Sequence, residues 1–77
     1  MKELVKCMAE ALVDNPDQVE VTEIVGSDIS VIELKVAKED MGKIIGKKGR
    51  NVQAMRIILN GASRKLGKHV VLEIIEQ

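Results

Sequence analysis

A chain of 77 residues without a single Phe, Tyr or Trp can build only an aliphatic core. Val, Ile, Leu, Ala and Met must make every contact between layers, and each brings less apolar area than a ring does. A chain this short buries only about 60 to 65% of its unfolded surface. The expectation is one small domain over residues 1–77, of modest stability, with no space for a separate substrate domain. Hydrophobic residues at 45% and charged residues at 31% fit a soluble globular chain and argue against disorder. The missing rings also exclude recognition of nucleic acid by stacking bases on aromatic platforms.

Chemistry-bearing residues are few. Cys7 is the one cysteine and His69 the one histidine, so neither a disulfide nor a His/Cys metal cluster can be composed. No nucleophile–base pair or paired carboxylates stand out, and neither an enzyme nor a cofactor is expected. Cys7 reads as a small buried or half-buried hydrophobe, and His69 as a surface or nucleic-acid-adjacent residue and not a catalyst. No apolar run approaches the roughly 18 residues needed to span a bilayer. Glu3 and Glu10 interrupt the N-terminal apolar residues, unlike a secretory signal. A cytoplasmic setting without membrane contact is the default.

Hydrophobic periodicity gives six elements. Leu4, Val5, Met8, Ala9, Leu12 and Val13 recur at helical spacing from Lys2 to Asp14, and Asn15-Pro16 stops the helix. Gln18 to Val25 is rich in β-branched residues and reads as a strand. A Gly26-Ser27-Asp28 turn leads to Ile29–Val36, where Ile32, Leu34 and Val36 alternate with Glu33 and Lys35, so the two strands form an antiparallel hairpin. Ala37 to Ile45 reads as a short helix and Arg50 to Leu66 as a longer one, with Val52, Met55, Leu59, Ala62 and Leu66 on its core face. His69 to Glu76 is the last strand. The order α-β-β-α-α-β predicts an α+β fold: a three-stranded mixed sheet covered on one face by three helices. The second and third strands, joined through helices, are expected to run parallel.

Gly46-Lys47-Lys48-Gly49 falls between two helices. Glycine lets a ligand approach the main chain closely. The helix that follows presents unpaired N–H groups and partial positive charge, a natural place for phosphate. Arg50 adds a third cation. Taken alone, the four residues also fit a plain helix–helix turn. A P-loop is excluded, because only three residues separate Gly42 from Gly46, where four are needed, and no hydroxyl follows Lys47. No glycine pair follows a strand as a dinucleotide fingerprint requires.

With Ile44 and Ile45 before the loop and Val52 and Met55 after it, the segment resembles the KH-domain signature. The element order resembles the type II, prokaryotic KH topology. Length, the Asp14-Asn15-Pro16-Asp17 turn and the Met41–Gly46 approach are similar to the small stand-alone bacterial KH proteins of the KhpA family. The resemblance covers the whole chain. It implies binding of single-stranded RNA, as an RNA chaperone or post-transcriptional regulator, with the glycine loop clamping the backbone of about four nucleotides. Carried onto this chain, Gly46, Lys47, Lys48 and Gly49 would hold phosphates, with Lys43 and Arg50 beside them. Ile44, Ile45 and Val52 would form the helical wall of an aliphatic base groove, and Ile32 or Leu34 its strand wall. A hetero-partner, a larger Jag-type KH-containing protein, is also implied.

A formal net charge of zero conceals a sharp segregation. Between Met41 and Leu72 lie eight basic residues and no acid, a charge of +8; all 12 acids and four lysines lie outside, a charge of −8. Such a segment fits a surface facing a polyanion. Opposite the core face of the long helix, Ala54, Ile57 and Gly61, with Ile58 at the edge, form a second apolar stripe. It is a candidate partner face, for a homodimer or another protein. Two rival readings stay open at this point: a protein-interaction module with a purely structural glycine loop, and a helix-turn-helix DNA binder.

Overall fold

The alternation in Ile29–Val36 becomes the middle strand of the sheet, and the other elements are arranged about it. The computed structural model describes residues 1–77. The chain runs through α1 (Lys2–Leu12), a 3-10 turn (Pro16–Gln18), β1 (Glu20–Val25) and β2 (Ile29–Val36). A second 3-10 turn (Lys38–Asp40) leads into α2 (Met41–Ile45), and a third (Lys47–Gly49) into α3 (Arg50–Lys65), before β3 (His69–Glu76) closes the sheet. The strand order is β1-β2-β3. β1 is antiparallel to β2, with Val21 opposite Leu34. β3 is parallel to β2, with Ile32 opposite Leu72. The expected mixed sheet with helices on one face is the fold observed.

Side chains on a strand alternate between faces, and here each parity has its own chemistry. Ile32, Leu34 and Val36 of β2, Val21 of β1 and Val70 and Leu72 of β3 turn toward the helices, where they pack with Val5, Ala9, Ile44, Met55 and Leu59. The opposite parity is uncovered. Ile24, Val31 and Val71 lie in one row across it, Thr22, Glu33 and Glu73 in the next, and Glu20, Lys35 and Ile75 in a third. Carboxylates therefore gather on the side of the sheet away from α3.

The boundaries differ from the periodicity reading where local chemistry intervenes. Pro16 has its φ preset for a helical turn, and Val19 N–H donates to the Pro16 carbonyl, so β1 starts at Glu20 instead of Gln18. Leu66 lies beyond the end of α3 and is 63% exposed; Ser63, one turn after Leu59, is buried in its place. The Ser63 hydroxyl donates to the Asn60 carbonyl at 3.0 Å, which makes burial of the polar group tolerable. Cys7 is exposed, contrary to expectation. The spacing of Val5 and Ala9 explains this: residues i and i+4 share a face, here the core face, and Cys7 between them points away from it.

One buried charge joins the two ends of the helical layer. Asp40 has no exposed surface. Its carboxylate accepts from Asp14 N–H at 3.2 Å, from Asn15 N–H at 3.1 Å and from the Asn15 side-chain amide at 3.1 Å. Burial opposes the charged form; these three donors, helped by the charge on Lys43, outweigh it and hold the carboxyl below its usual range. The unfolded chain then takes up the proton first as pH falls. The stabilisation is complete above the unfolded pKa of about 3.9 and is lost as pH drops through the folded value. Asp40→Asn is expected to lower the thermal midpoint at neutral pH by several degrees and to flatten the acid limb of a plot of midpoint against pH. Circular dichroism melts across pH 7 to 2 check this, and parallel acid limbs in the two proteins would remove Asp40 from the role.

Candidate nucleic-acid interface

The glycine loop is held in a conformation that ordinary residues avoid. Gly46 has φ 76° and ψ 174°, a region essentially restricted to glycine. It is also crowded: a Cβ there would lie 2.6 Å from the Asn51 side chain and 2.9 Å from the Asn51 backbone nitrogen. Lys48 (φ 58°, ψ 27°) and Gly49 (φ 74°, ψ 15°) are both left-handed. For Lys48 this conformation costs about 1–2 kcal/mol. Gly49 N–H closes the turn on the Gly46 carbonyl at 3.1 Å. Asn51 braces the whole: its side-chain amide donates to the Lys43 carbonyl at 2.8 Å, tying the start of α3 to α2.

This strain delivers an open cationic turn. A Cβ on Gly49 would meet nothing within 4 Å. No side chain caps the N-terminus of α3; Gly49 and Arg50 N–H close on the Gly46 and Lys47 carbonyls of the turn, and the positive end of the helix dipole faces outward. Lys47, Lys48 and Arg50 flank it, Lys48 on a left-handed backbone that turns the chain away from the core. Lys43 is differently placed. It is paired with Asp14, and that hydrogen bond, opposed by desolvation and reinforced by the charges of Asp14 and Asp40, raises its pKa. Its charge is partly spent inside the protein.

The expected groove walls need correction. Ile32 and Leu34 are wholly buried, because β2 is the middle strand and their parity faces the helices. Ile44 is wholly buried as well, a core residue that anchors α2 from beneath. None of the three has surface for a base. Val52 keeps 9% of its surface, and Ile45, at 39%, is the one aliphatic residue before the loop that stands open. The concave surface lies along the edge strand instead. A cavity of about 210 Å³ opens between α3 and β3, lined by Arg56, Leu59 and Asn60 on the helix and His69, Val70 and Leu72 on the strand. With a rise of about 1.5 Å per residue, Arg56 stands about 9 Å along α3 from Arg50 and Asn60 about 15 Å. One helix therefore carries both the cationic turn and the groove. Sequence reasoning had Arg56 only as a charge; the adjacency of α3 and β3 was the missing signal, because periodicity does not give strand order.

The stripe on the far side of α3 is exposed as expected. Ile57 is 66% and Ile58 49% accessible, and Ala54 and Gly61 are open to solvent. It continues into a second, apolar cleft of about 280 Å³, where Met8, Ala11 and Leu12 of α1 face Ala54, Met55 and Ile58. The α1 residues were not legible as part of this surface.

The KhpA/KhpB KH-domain family model matches residues 2–74. The chain belongs to that family. It is 60% identical over 75 residues to an RNA-binding protein KhpA of Caldanaerobacter subterraneus subsp. tengcongensis, covering 97% of this chain and 100% of the relative. An RNA-binding protein KhpA of Aquifex aeolicus is 53% identical over 76 residues, covering 99% and 96%, and one of Clostridium acetobutylicum is 51% identical over 75 residues, covering 97% and 100%. No solved structure gives a significant match. Family membership removes the helix-turn-helix reading, and so does the geometry: α2 has five residues, too few to act as the first helix of such a pair. The Gly-Lys-Lys-Gly turn lies within the residues that the family model matches.

Glycine substitutions separate strain from simple flexibility. Gly46→Ala is expected to destabilise by about 1–3 kcal/mol, combining a forbidden backbone with the clash at Asn51. Gly42→Ala, in α2 with nothing within 4 Å of its Cβ, is expected to stabilise by about 0.5–1 kcal/mol. Urea unfolding of both variants measures the difference.

Proposed function

We propose that this protein binds single-stranded RNA, gripping the phosphate backbone at Gly46, Lys47, Lys48, Gly49 and Arg50 and seating bases in the aliphatic groove between α3 and β3. The carrying observation is the glycine loop itself: two lysines on a strained turn that opens onto the uncapped N-terminus of a 16-residue helix. The basic stretch from Met41 to Leu72 and the carboxylate-bearing open face of the sheet support the same orientation. The KhpA relatives are named RNA-binding proteins. In this reading the protein is not an enzyme. It acts in the bacterial cytoplasm as an RNA chaperone or post-transcriptional regulator. No helix is long and apolar enough to cross a membrane.

Three or four neutralised phosphates on a single strand give a log–log salt slope of about −2 to −3. Lys47→Asp with Lys48→Asp reverses two charges on an exposed turn and touches no core contact. The double variant is expected to keep its fold by circular dichroism and to lose RNA binding by fluorescence anisotropy. Undiminished binding by the folded variant would falsify the clamp.

A second reading concerns assembly. The exposed Ile57 and Ile58 beside Gly61, continuous with the α1–α3 cleft, support a homodimer through α3, or a heterodimer with a larger Jag-type KH-containing protein. Gly61 leaves room for a second helix to approach closely, since a Cβ there would meet nothing within 4 Å. Sedimentation of the wild type is expected to give a dimer that Ile57→Asp dissociates; a dimer that survives the substitution would place the contact elsewhere.

A further inference from the structure

The groove has a polar arrangement that its aliphatic lining does not require. β3 is an edge strand, paired with β2 on one side only. Successive residues of a strand turn their backbone N–H and C=O groups to alternate edges. Arg56 donates from Nη2 to the Leu72 carbonyl at 3.3 Å, so Leu72 is a residue whose backbone groups face outward, toward α3 and the cavity. Its carbonyl is occupied by Arg56. Its N–H is not paired with β2.

The consequence is a bias in what the groove offers. A guanidinium has five N–H donors and no acceptor, and only one is engaged here. The Leu72 N–H is a further donor. Asn60 offers both kinds of group, and the His69 ring, when neutral, does the same, so neither sets a direction. With the Leu72 carbonyl engaged, the fixed polar groups around Arg56 are donors, and the Val70 carbonyl, of the same parity as Leu72, is the backbone acceptor left on this edge. Bases differ at the matching place: guanine and uracil carry a keto oxygen where adenine and cytosine carry an amino group, and arginine pairs bidentately with the guanine O6 and N7.

We propose that Arg56 is the specificity-determining residue of the groove, which through it selects keto bases, guanine or uracil, over amino bases. The proposal rests on the RNA-binding reading of this groove. Arg56 acts in two ways at once. It presents donors to the base, and it engages the backbone acceptor beside it, the Leu72 carbonyl. Without its side chain the edge of β3 would show an N–H beside a free C=O, a pairing suited to adenine or cytosine.

The experiment measures binding of short single-stranded RNAs of U, of alternating G and U, of A and of C, to the wild type, Arg56→Lys and Arg56→Met, with circular dichroism checking each fold. The wild type is expected to hold the G/U strand about tenfold more tightly than A or C, the discrimination of one good bidentate contact, and the U strand, whose O4 takes a single donor, by a smaller margin. Comparing U with G/U separates the two keto bases. Arg56→Lys keeps the charge and loses the fork, so the preference should collapse while the salt dependence stays. Arg56→Met should invert the preference toward A and C. Equal wild-type binding to all four strands, abolished by Lys47→Asp with Lys48→Asp, overturns the selectivity and leaves the RNA reading standing. A keto preference that persists in both Arg56 variants also overturns it. Absence of wild-type binding to every strand overturns both.

Discussion

The buried carboxylate of Asp40 is the point on which the arrangement depends. A charge without solvent is tolerated only when hydrogen bonds replace its hydration. Here three N–H donors do so, all from Asp14 and Asn15 at the far end of the first helix. Asp40 lies one residue before α2, and α2 has only five residues. A helix of that length has no stability of its own. Ile44 beneath it and Asp40 at its start hold it against the layer, and the glycine turn at its other end inherits that placement. Local strain in the turn at Gly46 and Lys48 persists because both flanking helices are anchored.

The aliphatic core explains why so few polar devices are needed elsewhere. Twelve buried hydrophobic residues form one cluster contributed by every helix and strand. Each such side chain stabilises the fold by about 1.5–3 kcal/mol when fully buried. The three buried polar or charged residues, Ser30, Asp40 and Ser63, are each next to an element end or turn. The interior between them is apolar, so the orientation of α3 against β3 rests on side-chain shape together with the Arg56–Leu72 hydrogen bond at the rim.

Most of the fold was legible because its signals are periodic. Ile29–Val36 and His69–Glu76 match the observed strands residue for residue, and the mixed sheet followed from connection length. The glycine turn was legible because only a few residue types tolerate its geometry. What escaped was information that crosses between elements. Nothing in the spacing of Ile32 and Leu34 tells that β2 is the middle strand and therefore closed on both edges, and so a groove wall was expected from two residues that have no exposed surface. Nothing in helical periodicity tells that Leu66 has already left the helix axis. The Asp40 clamp joins residues 25 and 26 positions apart, and acids at a helix start have an ordinary local explanation that hid it. Lys43 was legible as a cation, while its engagement with Asp14 required the fold.

The separation of charge between the helical ridge and the open sheet face has a kinetic side. With no net charge, the protein gains little attraction as a whole toward a distant polyanion. It carries instead a separation of charge, with the cations of the loop and α3 on one side and Glu20, Glu33 and Glu73 on the open face of the sheet. Such a dipole exerts a torque: within a Debye length of about 8 Å at physiological ionic strength, an approaching strand rotates the molecule before it touches. Orientation is the usual brake on association rates. A molecule that is turned loop-first on arrival wastes fewer collisions, so its encounter rate responds to salt even though its total charge is zero.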